Sequence, residues 1–230
     1  MRLIFVRHGE PDYINDTLTP NGIQQAQSTS KRLAGESISE VYSSPMGRAM
    51  KTASYTADML GLEVQTLDFM HEIDWDIHPW TTAFKLLAEE PKLMHGDGWR
   101  EHELFRGDVC ISYYDMISRE FDKFLENFGL VRTGAVYHED TTLNNRESGY
   151  DSHDKTIALF AHGGSGAVMF SHLLNISFPY ALTTLPYGVC SVSIIEFDAK
   201  IDGIVIPRLE LFNDMGHLDN VKQEPLRFDK

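Results

Sequence analysis

Two short stretches of this chain place a histidine where an apolar run stops. Leu3 to Val6 leads directly into Arg7-His8-Gly9-Glu10, and Thr156 to Phe160 leads directly into Ala161-His162-Gly163-Gly164. Continuous apolar runs of this length read as strands buried on both faces. In an open α/β sheet, ligands sit beyond the carboxyl ends of the strands, so both imidazoles point to where a site belongs. The glycine after each histidine lets the backbone turn sharply and come close to a ligand. A single histidine in such a place is as well read as a partly buried structural residue; two in matched contexts favour chemistry. An imidazole at neutral pH serves as a nucleophile, a proton carrier or a metal ligand.

The elements that must position these residues read as follows. Thr19-Pro20-Asn21 opens a helix, with Thr19 as N-cap, Pro20 in the first turn, and Ile23, Ala26 and Leu33 on one face up to Gly35. Glu40 to Tyr42 is a short strand. After Ser43-Ser44-Pro45, the residues Met46, Met50, Ala53, Ala57 and Leu60 recur at helical spacing until Gly61, and Glu63 to Leu67 reads as a strand. A β-α-β-α-β start implies a three-layer α/β fold, a mainly parallel central sheet with helices on both faces. Residues 76–112, rich in Trp, Phe, Pro and Gly, read as an inserted lid of short helices and loops within one domain spanning 1–230. Ile117 to Phe128 reads as a helix, 137–155 as an exposed polar loop, and the stretch after Gly163 as a helix through Val168, Phe170 and Leu174. Val192 to Phe197 and Ile204 to Phe212 read as two strands, joined by a hairpin around Asp202-Gly203, and the tail after Leu218 as loosely held.

In this order, the sequence resembles the histidine phosphatase superfamily, the phosphoglycerate-mutase-like group that forms a phosphohistidine. Arg7-His8-Gly9-Glu10 fits its N-terminal motif, and Leu18-Thr19-Pro20-Asn21-Gly22 with Gln25-Ala26 fits its first helix. Ser43-Ser44-Pro45-Met46-Gly47-Arg48-Ala49-Met50-Lys51-Thr52-Ala53 fits the segment that supplies a second arginine, Arg48. His71-Glu72-Ile73-Asp74 fits the segment that supplies an acidic proton donor, Glu72. Phe160-Ala161-His162-Gly163-Gly164 fits the second-histidine motif, and Asn213 to Leu218 a common ending. The resemblance implies His8 as nucleophile, Glu72 as general acid and base, Arg7 and Arg48 as forks on the phosphoryl oxygens, and His162 as a further donor, protonated once phosphate is bound. Gly163 and the helix it opens would offer backbone N–H groups. Burial near Trp75 would raise the proton affinity of Glu72. Two departures stand out. Asp76 occupies a place that is Gly in many relatives, and Ile14 stands where relatives carry a phosphate-binding Asn, so Asn15 takes that role only through a one-residue bulge. On the residues alone, Asp74 or Asp76 can replace Glu72 as proton donor.

The Arg-His-Tyr-Gly continuation of the mutases is absent, since the chain reads Ile73-Asp74-Trp75-Asp76. This favours a metal-independent phosphomonoester hydrolase over a mutase, of the histidine acid phosphatase type, acting on a small phosphorylated substrate. Lys92, Arg100 and Arg106 are candidate contacts to a second anionic group. Two readings compete. Gly163-Gly164-Ser165-Gly166-Ala167 approximates a serine-hydrolase elbow, with Asp198 or Asp202 and His217 to complete a triad. A phosphate-binding module without turnover is the other. His95, His102, His138 and His153 form no compact ligand pattern, and no metal or other cofactor is expected. The formal net charge of −14 argues against nucleic acid and anionic membranes as partners. No apolar stretch approaches a membrane span, and two cysteines make no disulfide framework. A cytoplasmic protein is expected, with a homodimer left open.

Overall fold

The computed structural model describes residues 1–73, 79–103, 105, 108–140, 155–219 and 221–222. Asp74, Asp76, Arg106 and His153 lie outside the described residues, as do most of the 137–155 segment and the end of the tail. The chain runs β1 (Arg2–Arg7), β2 (Pro11–Asp12), β3 (Thr17–Leu18), α1 (Pro20–Leu33), β4 (Glu40–Ser43), α2 (Gly47–Leu60), β5 (Val64–Thr66), α3 (Pro79–Glu89), α4 (Asp108–Glu126), β6 (Leu130–Thr133), β7 (Val136–Glu139), β8 (Thr156–Ala161), α5 (Gly163–Leu174), α6 (Phe178–Thr184), β9 (Val192–Glu196), β10 (Ala199–Ile201), β11 (Ile204–Val205) and β12 (Arg208–Asp214).

The central sheet has the order β12-β9-β1-β8-β4-β5. β1, β8, β4 and β5 are parallel, while β9 and β12 extend the sheet antiparallel. Successive side chains of a strand face opposite sides, and here both sides are apolar. Leu3, Phe5, Ile157 and Leu159 pack into the large cluster with α4, α5 and α6. Ile4, Val6, Ala158 and Phe160 pack with Leu33 of α1 and Ala53 and Ala57 of α2. Burial on both faces is why β1 and β8 read as unbroken apolar runs rather than alternating ones. The Thr19 side chain caps α1, accepting from the Gly22 N–H at 3.0 Å, and Gly61 ends α2 in the left-handed region.

Three sequence expectations need correction. Ile204 to Phe212 is not one strand: β11 pairs with β10 and β7 in a small sheet of order β10-β11-β7-β6, and β12 pairs with β9 in the main one. Asp202-Gly203, both at positive φ, does turn a hairpin, but between β10 and β11 rather than between the two expected strands. The expected loop from residue 137 begins inside β7. Its polar His138 and Glu139 hide a strand anchored by one fully buried residue, Tyr137. In the 76–112 segment, Trp99 and Phe105 are fully buried, edge-on to each other and in contact with Phe178 of α6. That part of the expected lid is core. Among the described residues no helix is long and apolar enough to cross a membrane.

Candidate active site

β1 and β8 pair in parallel with Arg7 opposite Ala161. The residue after each strand end is a histidine, so the register alone brings His8 and His162 side by side. The His8 N–H donates to the Ala161 carbonyl at 2.9 Å, and the two rings lie 5.1 Å apart between centroids. His8 is 2% exposed. Its Nδ1 sits 2.8 Å from the Gly9 carbonyl oxygen. A carbonyl only accepts, so Nδ1 carries the ring proton and Nε2 keeps its lone pair. Burial first, then the charges of Arg7, His162 and Arg48, hold the His8 imidazole well below the usual histidine range. His162 is pushed down to about 3 by burial, then by Arg48 and Arg7. These causes favour the neutral form of His162, whose Nε2 lies 2.7 Å from the Ser44 hydroxyl; the expected protonation belongs to the phosphate-bound state.

Arg48 follows the loop that caps α2, where an arginine alone is most often solvated. Here it is 6% exposed. Its Nη1 donates to Asp16 Oδ1 at 2.6 Å, its Nη2 approaches Met46 Sδ at 3.4 Å, and its guanidinium lies over the Tyr13 ring. Against the cost of partial burial, the Gly47 N–H and Arg48 hold the Asp16 carboxyl below its ordinary range. The approach needs a glycine at 47, since a Cβ there would stand 2.1 Å from the Asp16 carbonyl oxygen. Arg7 donates to the Tyr187 carbonyl at 2.9 Å, and the Tyr187 hydroxyl donates to the Gly163 carbonyl at 2.6 Å.

Glu72 follows β5 and a single 3-10 turn, Asp68–Met70. Its carboxylate rests on the first turn of α5. Oε1 accepts from Gly164 N at 2.9 Å, from Ser165 N at 3.2 Å and from Ile73 N at 3.2 Å; Oε2 lies 3.1 Å from Gly164 N. The helix N-terminus favours a negative group there. This revises the expectation that the first turn is open to phosphate, because Glu72 already takes the N–H groups of Gly164 and Ser165. Gly163 stands at the junction: a Cβ on it would lie 3.8 Å from both Arg7 and Glu72. Arg7, His8, Arg48, His162, Glu72 and Gly163 therefore converge.

Asn15 is not brought in. It is exposed, and its amide donates to Asp12 Oδ2 at 2.7 Å. Arg100 also lies elsewhere, in a cavity of about 370 Å³ with His172, Asn175 and Ile176 at the far end of α5, where it pairs with Asp115 at 2.8 Å. Lys92 is exposed. The serine-hydrolase triad is not assembled. Ser165 Oγ accepts from the His162 N–H, His217 Nε2 contacts Thr29 and the Cys190 carbonyl, and Asp202 is exposed in its hairpin while Asp198 pairs with Arg208. Burial pushes the thiols of Cys110 and Cys190 up to about 12, so neither supplies a thiolate nucleophile near pH 7. Among the described residues no group of His, Cys, Asp and Glu is arranged to hold a metal ion.

Ser44, Asp16 and Tyr187 are site residues that sequence reasoning did not single out. Ser44 sat in plain view inside the quoted Ser43-Ser44-Pro45 stretch. Asp16 and Tyr187 lie in loops whose sequence carries no periodic or spacing signal.

Two expected results arise from this geometry. Gly164→Ala puts a Cβ 2.4 Å from Glu72 Oε1, so the carboxylate must leave its seat. Turnover falls by about 10²-fold or more, the order of losing a positioned acid–base group, while inorganic phosphate or vanadate binding changes little; equal loss of both contradicts it. The second concerns pH. A histidine neutral in the fold and protonated in the unfolded chain contributes fully above the unfolded value near 6.5. That contribution is lost as pH falls toward the folded value, about 3 for His162. The slope is about 1.4 kcal/mol per pH unit for each such histidine. Tm therefore declines from pH 7 to pH 5, and removing either imidazole flattens the decline. An unchanged slope in His8→Ala and His162→Ala contradicts the assignment.

Residues 3–125 match the model of the histidine phosphatase superfamily, branch 1. Over 80 residues the chain is 38% identical to the 2,3-bisphosphoglycerate-dependent phosphoglycerate mutase of Thermoplasma acidophilum, a match to 30% of this chain and 40% of that protein. The chain thus spans about two fifths of the length of the curated relatives it matches. The solved phosphoserine phosphatase of Entamoeba histolytica, a variant in complex with phosphoserine, superposes with a TM-score of 0.63 at 23% identity, covering 94% of this chain and 98% of that one. The mycobacterial glucosyl-3-phosphoglycerate phosphatase gives 0.60 at 22% identity, covering 92% and 98%.

Proposed function

Since this chain belongs to the histidine phosphatase superfamily, we propose that it is a metal-independent phosphomonoester hydrolase that carries the phosphoryl group on His8. One observation carries the reading. A buried imidazole has its Nδ1 proton committed to Gly9, its Nε2 lone pair free for attack, and two arginines as its neighbours. Phosphoryl transfer asks mainly for positioning and for positive charge on three equatorial oxygens, and Arg7 and Arg48 supply both.

In the first half, His8 Nε2 attacks phosphorus, an N–P bond forms, and the ester P–O bond breaks with the leaving oxygen taking a proton from Glu72. In the second half, Glu72 takes a proton from water as its oxygen attacks phosphorus. The N–P bond breaks, inorganic phosphate forms, and His8 regains its lone pair. His162 lines the pocket beside His8, held by Ser44, and serves as a donor to an equatorial phosphoryl oxygen once the bound dianion favours its protonation. The Ile73-Asp74-Trp75-Asp76 sequence, in place of the mutase continuation, supports water rather than a second phosphoester as acceptor. The small phosphorylated substrate and the cytoplasmic location stand as part of the same proposal.

The test is a panel of sugar phosphates, nucleotides, phosphoglycerates and phosphoserine, scored for released phosphate and, for phosphoglycerates, for isomerisation. Release of phosphate, vanadate inhibition and indifference to a serine-directed fluorophosphonate are expected. Isomerisation outrunning release would make the protein a mutase, and phosphate binding with no turnover anywhere would make it a binding module.

A further inference from the structure

The β2–β3 loop lies against Arg48 and exposes two large apolar residues, Tyr13 at 63% and Ile14 at 95%. Single exposed apolar side chains are ordinary. These two are adjacent, and the loop that carries them is tied at both ends. Asp12 Oδ1 accepts from the N–H groups of Ile14 and Asn15 at 3.0 and 3.3 Å, and its Oδ2 accepts from the Asn15 side chain. At the other end Asp16, at φ 44°, accepts from Gly47 N and Arg48, each at 2.6 Å. The Tyr13 ring faces the Arg48 guanidinium at 5.5 Å. Met46 Sδ links Arg48 to the backbone of Glu72, at 3.4 and 3.3 Å, so this wall adjoins the place where the leaving oxygen must stand.

Resting on the function proposed above, we infer that Tyr13 and Ile14 form the platform for the organic part of the substrate. The preferred substrates are phosphomonoesters whose alcohol carries an aromatic or branched apolar group close to the ester oxygen. A group leaving the cup past Arg48 meets the Tyr13 ring and then Ile14. A loop already held in place loses little freedom on binding, so apolar contact there converts efficiently into affinity. Burial of one ring face corresponds to a preference of about tenfold over a methyl ester.

Binding to a protein that cannot turn over separates this inference from the catalytic one. In His8→Ala, titration calorimetry with benzylphosphonate and methylphosphonate is expected to give about tenfold tighter binding of the benzyl compound. Adding Ile14→Ser or Tyr13→Ser lowers that ratio about threefold or more. Ile14 is almost fully exposed, so its replacement leaves the fold intact. Equal affinities for the two phosphonates, or a ratio unmoved by both substitutions, overturns the platform. Failure of both phosphonates to bind removes the catalytic reading and this one with it.

Discussion

His8→Ala abolishes hydrolysis of a generic aryl phosphate, with kcat falling by at least about 10⁴-fold, the scale seen when an enzyme loses its nucleophile. No other described side chain near the cup can replace it. His162 is neutral, but its Nε2 is engaged with Ser44. Ser165 Oγ is turned to the His162 N–H, and both cysteines are buried as thiols. The fold survives, because the substitution removes one short hydrogen bond to Gly9 and no apolar contact of the two large clusters. A loss of about 1–2 kcal/mol is expected, offset in part because an imidazole no longer has to be held beside two guanidinium charges. Phosphate-labelled wild-type protein trapped during turnover carries the label on His8, stable to alkali and labile to acid. Label on Ser165 or on a cysteine would end the mechanism, as would an alanine variant that keeps its rate.

How much of this was readable beforehand follows from which interactions are local. The two strand-end histidines were legible because both-face burial leaves an unbroken apolar run, and the residue just beyond it is forced to the sheet edge. That the sheet is mainly parallel followed from the βαβ pattern, but the pairing of β1 with β8 that puts His8 against His162 joins segments more than 150 residues apart and no local pattern carries it. Glu72 was another matter. Its segment has no periodicity, and its seat on the first turn of α5 depends on a contact 92 residues away in sequence. Only the resemblance chose it over Asp74 and Asp76. Arg48 by itself looked like a surface charge, and what buries it is the β2–β3 loop, through Asp16 and Tyr13. Asn15 failed for the same reason. Asp12 offers the Asn15 amide an acceptor only three residues away, and a side chain that satisfies its own turn is not free to reach the cup. β7 was hidden because a strand with one deeply buried residue shows too little alternation to be seen.

The second large effect is expected from Glu72→Gln, and its size should depend on the leaving group. The replacement is nearly isosteric. An amide oxygen in the place of Oε1 keeps the contacts to Gly164, Ser165 and Ile73, while the amide nitrogen replaces only Oε2, which shares the Gly164 N–H at 3.1 Å. The first turn of α5 therefore keeps its partner, and vanadate affinity changes little. What is lost is the proton. For an alkyl phosphate the leaving alkoxide needs it, so kcat falls by about 10²–10⁴-fold. For p-nitrophenyl phosphate the leaving phenolate needs none, so His8 is still phosphorylated. Water then lacks its base, and the phosphohistidine accumulates. Stopped-flow traces should show a burst of nitrophenolate equal to the enzyme concentration, followed by a slow steady rate. A uniform loss on both substrates with no burst would mean that Glu72 serves only to hold α5. Full activity would move the proton to Asp74 or Asp76, the two carboxylates that follow it in the same acidic run.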